Sequence, residues 1–338
     1  MKNPTDTDRM MQMITGFWVT QVVHAAATYS LADHFASGPA TAAEIAHAEG
    51  TDPSATFRFL RTCASLGMLT YDTESRFVGT PLLDTLRKDN PLNVRGMAMS
   101  FPAPGQWLPW GRFPDAVKTG QYQAESALGM GLWDYFAVHH AEGAAFSQSM
   151  TSLTSMVAAE TARVIDTSAV KLVADIGGAE GAMIHAMMRV NPGLHGIVFD
   201  QPNVVANASV VARELGFGDR LTTQAGDFFE SVPEADLYLL KYILHDWDDA
   251  RCVRILENCR RAMRPGARIA VIELLIGEIG EPGLAPVMDM NMMVLVSGRE
   301  RSLSEYEELF SAAGLRISSV IPTGTPMVIV EGMAIEVR

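Results

Sequence analysis

Three short stretches combine acids, glycines and aromatics in a way that suits a nucleoside. The first is Asp175-Ile176-Gly177-Gly178-Ala179-Glu180-Gly181. Glycines there let the backbone turn tightly and approach a ligand beside a helix N-terminus. A dinucleotide-binding fingerprint would need glycine at 177, 179 and 182, but Ala179 and Ala182 occupy two of those positions. That spacing argues against a nicotinamide dehydrogenase. The second is Asp200, 23 residues past Gly177 and suited to accept both hydroxyls of a ribose. In the third, Gly226-Asp227-Phe228-Phe229, the acid can hydrogen-bond an adenine amino group while an aromatic ring covers the base. By themselves these residues imply a nucleoside-bearing cofactor and no particular reaction.

Such residues must sit where strands give way to helices. From residue 170 the pattern alternates: strand 171–176, helix 182–190, strand 195–199, helix 204–215, strand 221–225 and strand 236–244. It continues with helix 250–263, strand 268–274, helix 304–313, and closing strands 317–322 and 327–331. Alternation of this kind with right-handed crossovers predicts an open α/β sheet, mostly parallel, with helices on both faces. Ligands then bind beyond the carboxyl ends of the strands, at the topological switch point.

The first half reads differently. Residues 9–35 form a helix that is apolar nearly all round (Met10, Met13, Ile14, Phe17, Trp18, Val22, Val23), so it is expected to be buried in its own core or in another subunit. Thr41 and Asp52 then cap two short amphipathic helices joined at Gly50-Thr51, and two β-rich pieces follow, 68–71 and 76–80. This is a helix-turn-helix with a wing. Its second helix, 54–66, carries only Arg58 and Arg61, and the chain has 26 basic against 39 acidic residues, a net charge of −13. Nucleic-acid binding needs a basic surface, so a dimerising use is favoured over a DNA-binding regulator. A second helical stretch, 132–165, bears an aromatic and methionine stripe that includes Trp133, Phe146 and Met150. It suits core packing and one wall of a substrate pocket.

Composition bounds the rest. With 338 residues and 48% apolar content the chain can bury a large core, which excludes wholesale disorder. Cys63, Cys252 and Cys259 form no CxxC pair, and no metal-binding histidine pattern is present, so neither a disulfide scaffold nor a metal is expected. No signal peptide or membrane span is legible, which points to the cytoplasm and to no membrane partner.

Strand 236–244 ends in Leu240-Lys241-Tyr242-Ile243-Leu244-His245-Asp246-Trp247-Asp248-Asp249. Together Asp-Ile-Gly-Gly-x-x-Gly, Phe-Asp-x-Pro, Gly-Asp-Phe-Phe, Leu-His-Asp-Trp-Asp-Asp and Gly-Arg-Glu-Arg, in this order, resemble the S-adenosylmethionine-dependent O-methyltransferases of the plant caffeic-acid and bacterial antibiotic-tailoring type. The resemblance covers essentially the whole chain. It implies a winged-helix dimerisation domain at 1–105, linking helices at 106–168 that contribute to the substrate pocket, and a Rossmann-like catalytic domain with a seven-stranded, mostly parallel sheet at 169–338. It further implies Asp175, Gly177, Asp200 and Gln201 as cofactor contacts, together with Gly226, Asp227, Phe228 and Lys241. His245 becomes the general base, flanked by Glu273 and Glu300. Asp246, Met288, Asn291 and Met292 join Trp133, Phe146 and Met150 around the acceptor, the helix of Met288 and Met292 being one that lines the pocket in this family. The chain departs from the family at Ala179 and Glu180, where glycine and a small or polar residue are usual, and Glu180 is positioned to re-aim a cofactor carboxylate.

These residue types suit methyl transfer. A phenol is a poor nucleophile until deprotonated, and a histidine of ordinary pKa ~6.5 can take its proton near neutrality. Attack of phenolate on a sulfonium cancels charge, so a dry pocket serves it and positioning carries much of the remaining barrier. The expectation is therefore O-methylation of an aromatic secondary metabolite by a homodimer. Relatives of similar appearance that hydroxylate, decarboxylate or cyclise, and N-methylation, stand as alternatives.

Overall fold

The computed structural model describes residues 5–335. These form two compact units, one of residues up to 107 together with 136–152, the other of 108–135 together with the chain from 153 onward. Residues 106–168 are thus divided between the two.

In the first unit α1 (Asp6–Thr28) begins with a capping box, Thr5 and Asp8 each satisfying the other's backbone N–H. The continuous helix expected over 9–35 is broken: Ser30 takes a left-handed conformation (φ 46°), and α2 (Leu31–Ala36) starts anew. Of the two covers expected for α1, its own unit supplies one over half of the helix only. Its C-terminal half packs into the unit's core through Val22, Val23, Ala26 and Ala27. Its N-terminal half leaves Met13 70% and Trp18 60% exposed, with Met10, Ile14 and Phe17 beside them. Then α3 (Ala42–Glu49) and α4 (Pro53–Ser65) follow, capped as expected by Thr41 and Asp52, with Gly50 left-handed between them. The wing is an antiparallel pair, β1 (Leu69–Tyr71) and β2 (Phe77–Gly79), and Phe77 also bridges to Ala40.

The second unit contains β3 (Leu172–Ile176), β4 (His195–Asp200), β5 (Leu221–Ala225), β6 (Ala235–Lys241), β7 (Met263–Glu273), β8 (Leu315–Pro322) and β9 (Val328–Ala334). They form one sheet in the order β5-β4-β3-β6-β7-β9-β8, parallel except for β9, which runs antiparallel to both neighbours. This is the Rossmann-like sheet expected from the alternation. Side chains alternate between its two faces: Val173, Leu237 and Leu239 enter one core, and Ala174, Ile176, Tyr238 and Leu240 the other. Met183, Ile184, Met187 and Met188 of the helix Ala182–Val190 cover the first face. Ile255 and Leu256 of Asp249–Ala262, with Tyr306 and Phe310 of Leu303–Ala312, cover the second.

Four elements differ from the expected pattern, one of them β7, which begins at Met263 rather than at 268. The stretch 204–215 is two helices, Pro202–Val205 and Ala208–Glu214, and 132–165 is likewise two, Leu132–Val138 and His140–Val164. More consequentially, β6 stops at Lys241 rather than running to 244. Strand order reverses between β3 and β6, so the carboxyl ends of these two strands form the switch point.

Candidate active site

Beyond β3 the chain turns at Gly177 with φ 68°, and its N–H donates to the Phe199 carbonyl at 2.8 Å. A Cβ at this position would collide with the Ile243 side chain and come within 3.9 Å of Phe228. Bare backbone here therefore faces the side chains of Ile243 and Phe228. From the end of β4, Asp200 reaches back to the same loop: its Oδ2 accepts the Ala179 N–H at 2.9 Å and its Oδ1 the Gln201 N–H at 2.7 Å. Gly226, whose N–H donates to the Asp200 carbonyl at 3.0 Å, leads into Asp227. Asp227 accepts from the Phe229 N–H at 2.8 Å, and Phe228 is held edge-on against Phe229 and Trp247.

Asp175 and Lys241 end adjacent strands at the switch point. Burial raises the Asp175 carboxyl to about 7, with the charge of Asp200 adding to the rise and Lys241 opposing it. Burial likewise lowers Lys241 to about 7, against the pull of Asp175 and Glu273. The Lys241 ammonium is no solvated strand-end charge: it donates to Thr154 Oγ1 at 2.9 Å and lies 4.0 Å over the Tyr242 ring. A glycine-lined cradle, an aromatic face and acids at two strand ends fit the adenosine and amino-acid parts of S-adenosylmethionine.

The two departures at 179 and 180 have separate outcomes. Glu180 accepts from Asn207 Nδ2 at 2.7 Å, which ties its carboxylate to the entry of the helix Ala208–Glu214. Ala179 sits at φ 48°, a left-handed conformation that costs an L-residue ~1–2 kcal/mol. Ala179→Gly is expected to relieve that strain, and after the ~0.5–1 kcal/mol entropic cost of glycine to stabilise the fold by up to ~1.5 kcal/mol. A melting temperature equal to or below that of the native chain would contradict this.

Lys241 passes directly into a turn. Tyr242 adopts φ 55°, and a 3₁₀ turn, Leu244–Asp246, replaces the expected end of the strand. The cause is Glu273, at the end of β7. Its Oε1 accepts the N–H groups of Ile243, Leu244 and His245 at 3.1, 2.8 and 3.2 Å, and its Oε2 accepts the Tyr306 hydroxyl. The Glu273 carboxylate thus makes its hydrogen bonds to the turn's backbone and to Tyr306, and it acts on the imidazole through its charge. Glu300 does reach the ring: its Oε1 lies 2.7 Å from His245 Nδ1. Asp246 Oδ1 lies 3.5 Å from Nε2, and the Tyr242 ring stacks on the imidazole at 4.8 Å and 8°. Burial alone would lower the His245 pKa, but Asp246, Glu300 and Glu273 together raise it to about 9. Burial raises Asp246 to about 7, held back by His245 and assisted by Glu273 and Glu300. Tyr242 was not expected from the sequence, although it directly follows Lys241 at the strand end.

The helix Ala285–Leu295 carries Met288, Asn291 and Met292. Asn291 Oδ1 accepts from Trp110 Nε1 at 2.8 Å, and Asp289 on the same helix accepts the Glu300 N–H at 3.0 Å, which links this helix to the ring partner of His245. Trp133 belongs to the same unit as these residues, whereas Phe146 and Met150 lie in the first unit, Phe146 stacked on Phe136 at 4.9 Å. Among the described residues no group of three or more His, Cys, Asp or Glu is placed to hold a metal ion, and no helix is long and apolar enough to cross a membrane.

Residues 110–316 match the model of the O-methyltransferase domain, and residues 11–89 that of the O-methyltransferase dimerisation domain. The phenazine O-methyltransferase PhzM of Lysobacter antibioticus is 37% identical over 327 residues, 96% of this chain and 96% of that one. The crystal structure of LaPhzM is similar at a TM-score of 0.95 and 37% identity, covering 97% of this chain and 99% of that one. Human N-acetylserotonin methyltransferase, solved in complex with SAM, is similar at a TM-score of 0.90 and 29% identity over 99% of each chain. Two family models in tandem, on a sheet whose switch point carries this set of acids, glycines and a paired histidine, establish that the chain belongs to the O-methyltransferases that use S-adenosylmethionine as methyl donor.

Proposed function

We propose that the enzyme methylates a hydroxyl of an aromatic small molecule of secondary metabolism, with His245 as the base that takes its proton. The observation that carries this reading is the pairing of His245 Nδ1 with Glu300 at 2.7 Å, which turns Nε2, 3.5 Å from Asp246 Oδ1, toward the acceptor as the nitrogen that takes the proton. An aromatic acceptor is supported by the relative named as a phenazine O-methyltransferase and by the adaptable Met288 and Met292 on the helix whose Asp289 accepts the Glu300 N–H.

When bound, the cofactor supplies a methyl group on a positively charged sulfur. Asp200 holds the ribose hydroxyls, Asp227 and Phe228 take the adenine edge and face, and Gly177, Gln201 and Gly226 contribute backbone that can approach closely. Asp175 and Lys241 add further cofactor contacts at the switch point beside them. His245 accepts the acceptor's proton, Glu300 keeps the ring in one orientation, and Asp246, Asn291 and Trp133 orient the aromatic. Two copies associate through the exposed face of α1, whose Met13, Phe17 and Trp18 are too apolar to be left in water. No nucleic acid takes part, in keeping with a net charge of −13.

Incubation with methyl-labelled cofactor and a panel of phenols, phenazines and aromatic polyketides should yield labelled methyl ethers. Label that appears only on amines or carboxylates would overturn the hydroxyl assignment. Asp200→Ala should retain the fold and weaken cofactor binding on the order of tenfold or more, since each charge-assisted bond to a ribose hydroxyl contributes ~1.5–3 kcal/mol at most. Calorimetry giving native affinity would remove Asp200 from the cofactor site.

A further inference from the structure

Arg299-Glu300-Arg301 is a charge run just ahead of the helix Leu303–Ala312, yet its three side chains part company. Arg299 stays at the surface, 2.7 Å from Asp249 and 3.4 Å from Glu305. Glu300 goes to the His245 ring. Arg301 is 0% exposed, and its guanidinium is committed to the segment that carries the histidine. Nη1 donates to the Leu244 carbonyl at 3.0 Å and Nη2 to the Trp247 carbonyl at 2.8 Å. Nε and Nη2 both donate to Asp249 Oδ1, at 3.1 and 2.8 Å. These partners stand on either side of His245.

The same segment is held from its other pole. Glu273 takes its N–H groups at 243, 244 and 245, and Tyr306 takes the remaining Glu273 oxygen. Amides are fixed to one buried carboxylate and carbonyls to one buried cation, so the segment has little freedom to drift. An ion pair with a buried cation is a poor source of stability, because desolvation offsets most of its attraction. Its effect is better sought in geometry.

We infer that Arg301 is a positioning residue for methyl transfer: it clamps the 244–249 segment so that the His245 imidazole meets the acceptor's proton in one place, while its chain neighbour Glu300 fixes the ring. The inference rests on the reading of His245 as the base. Arginine is specifically required, because a planar fork of five donors can serve two carbonyls and a carboxylate at once, and a lysine ammonium cannot span them.

Three variants test it. Arg301→Lys keeps the charge and loses the fork. It should retain cofactor affinity by calorimetry and an unchanged KM for the acceptor, while kcat falls ~10²-fold, as expected when a reacting group shifts by ~1 Å. The acid limb of its pH–rate profile should not move. Arg301→Met removes the charge as well. With Asp246, Glu273 and Glu300 then facing His245 without that cation, the acid limb should move to higher pH on top of the kcat loss. Asp249→Asn, at a position 53% exposed, weakens one of the clamp's contacts and should lower kcat about tenfold with KM unchanged. It decides the matter if the buried variants do not fold. A folded Arg301→Lys or Asp249→Asn enzyme with native kcat overturns the inference. So does a kcat loss matched by an equal loss of cofactor affinity or of folded protein, which would make Arg301 merely structural. Turnover retained by His245→Ala in the same assay would instead overturn the reading of the base, whatever the arginine variants do.

Discussion

Replacing His245 by alanine is expected to lower turnover on a phenolic acceptor by ~10²–10⁴-fold near neutrality while leaving cofactor affinity unchanged. The imidazole faces Glu300, Asp246 and the Tyr242 ring, and its assigned role is toward the acceptor's proton, so its loss acts on the chemical step. The raised pKa of about 9 fixes the sign of the pH dependence. A base works in its neutral form, so kcat/KM of the native enzyme should climb about tenfold per pH unit below that value and level off above it. The defect of the alanine variant should shrink as pH approaches the phenol's own pKa of ~10, where the acceptor ionises unaided. Near-native turnover of the variant at pH 7, on an acceptor un-ionised there, would make His245 a structural residue. The same shift bears on stability with the opposite slope. A histidine raised from ~6.5 contributes stability in full below that value and loses it as pH rises through about 9. The protonation state that catalyses is the one the fold favours less.

Gly298→Ala should be nearly as damaging, from a position that carries no chemistry. A Cβ at Gly298 would overlap the His245 carbonyl oxygen, with the Asp246 and His245 carbonyl carbons at 2.5 and 2.6 Å. All three are backbone atoms, so the segment itself must move. A displacement of ~1 Å at the base costs ~10²-fold in rate, and overpacking of this kind costs ~1–3 kcal/mol in stability. Measuring kcat and the melting temperature in the single and double variants separates the two effects. If Gly298 acts through His245, adding Gly298→Ala to His245→Ala should cost little further turnover. A well-folded Gly298→Ala enzyme with native kcat would show that the segment tolerates the shift.

What was legible in the sequence followed the range over which its causes act. The caps at Thr41 and Asp52, the reversal at Gly50 and the strand–helix alternation are local, and they stand where periodicity and capping residues put them. The end of β6 was not legible. Strand propensity runs on through Ile243 and Leu244, and what stops it is a carboxylate from Glu273, 28–30 residues further along the chain. Arg301 was hidden for the same reason. A charge run reads as a solvated face until folding supplies the carbonyls of Leu244 and Trp247 as its partners. On α1 the apolar composition was plain, but sequence alone could not say that half the helix would find its cover within its own unit and half would not.

The uncovered half of α1 ties folding to mass action. If two copies bury Met13, Phe17 and Trp18 against each other, only folded chains can pair, and each tenfold rise in protein concentration adds up to ~1.4 kcal/mol to the stability of the dimer. The midpoint of thermal unfolding should therefore climb with concentration. Below the dissociation constant the bare helix would meet vessel walls and other unpaired helices, and enzyme diluted for assay would fade with time unless a carrier protein occupied those surfaces. Specific activity then depends on enzyme concentration, and following it across decades of dilution measures the affinity of one α1 face for its mate.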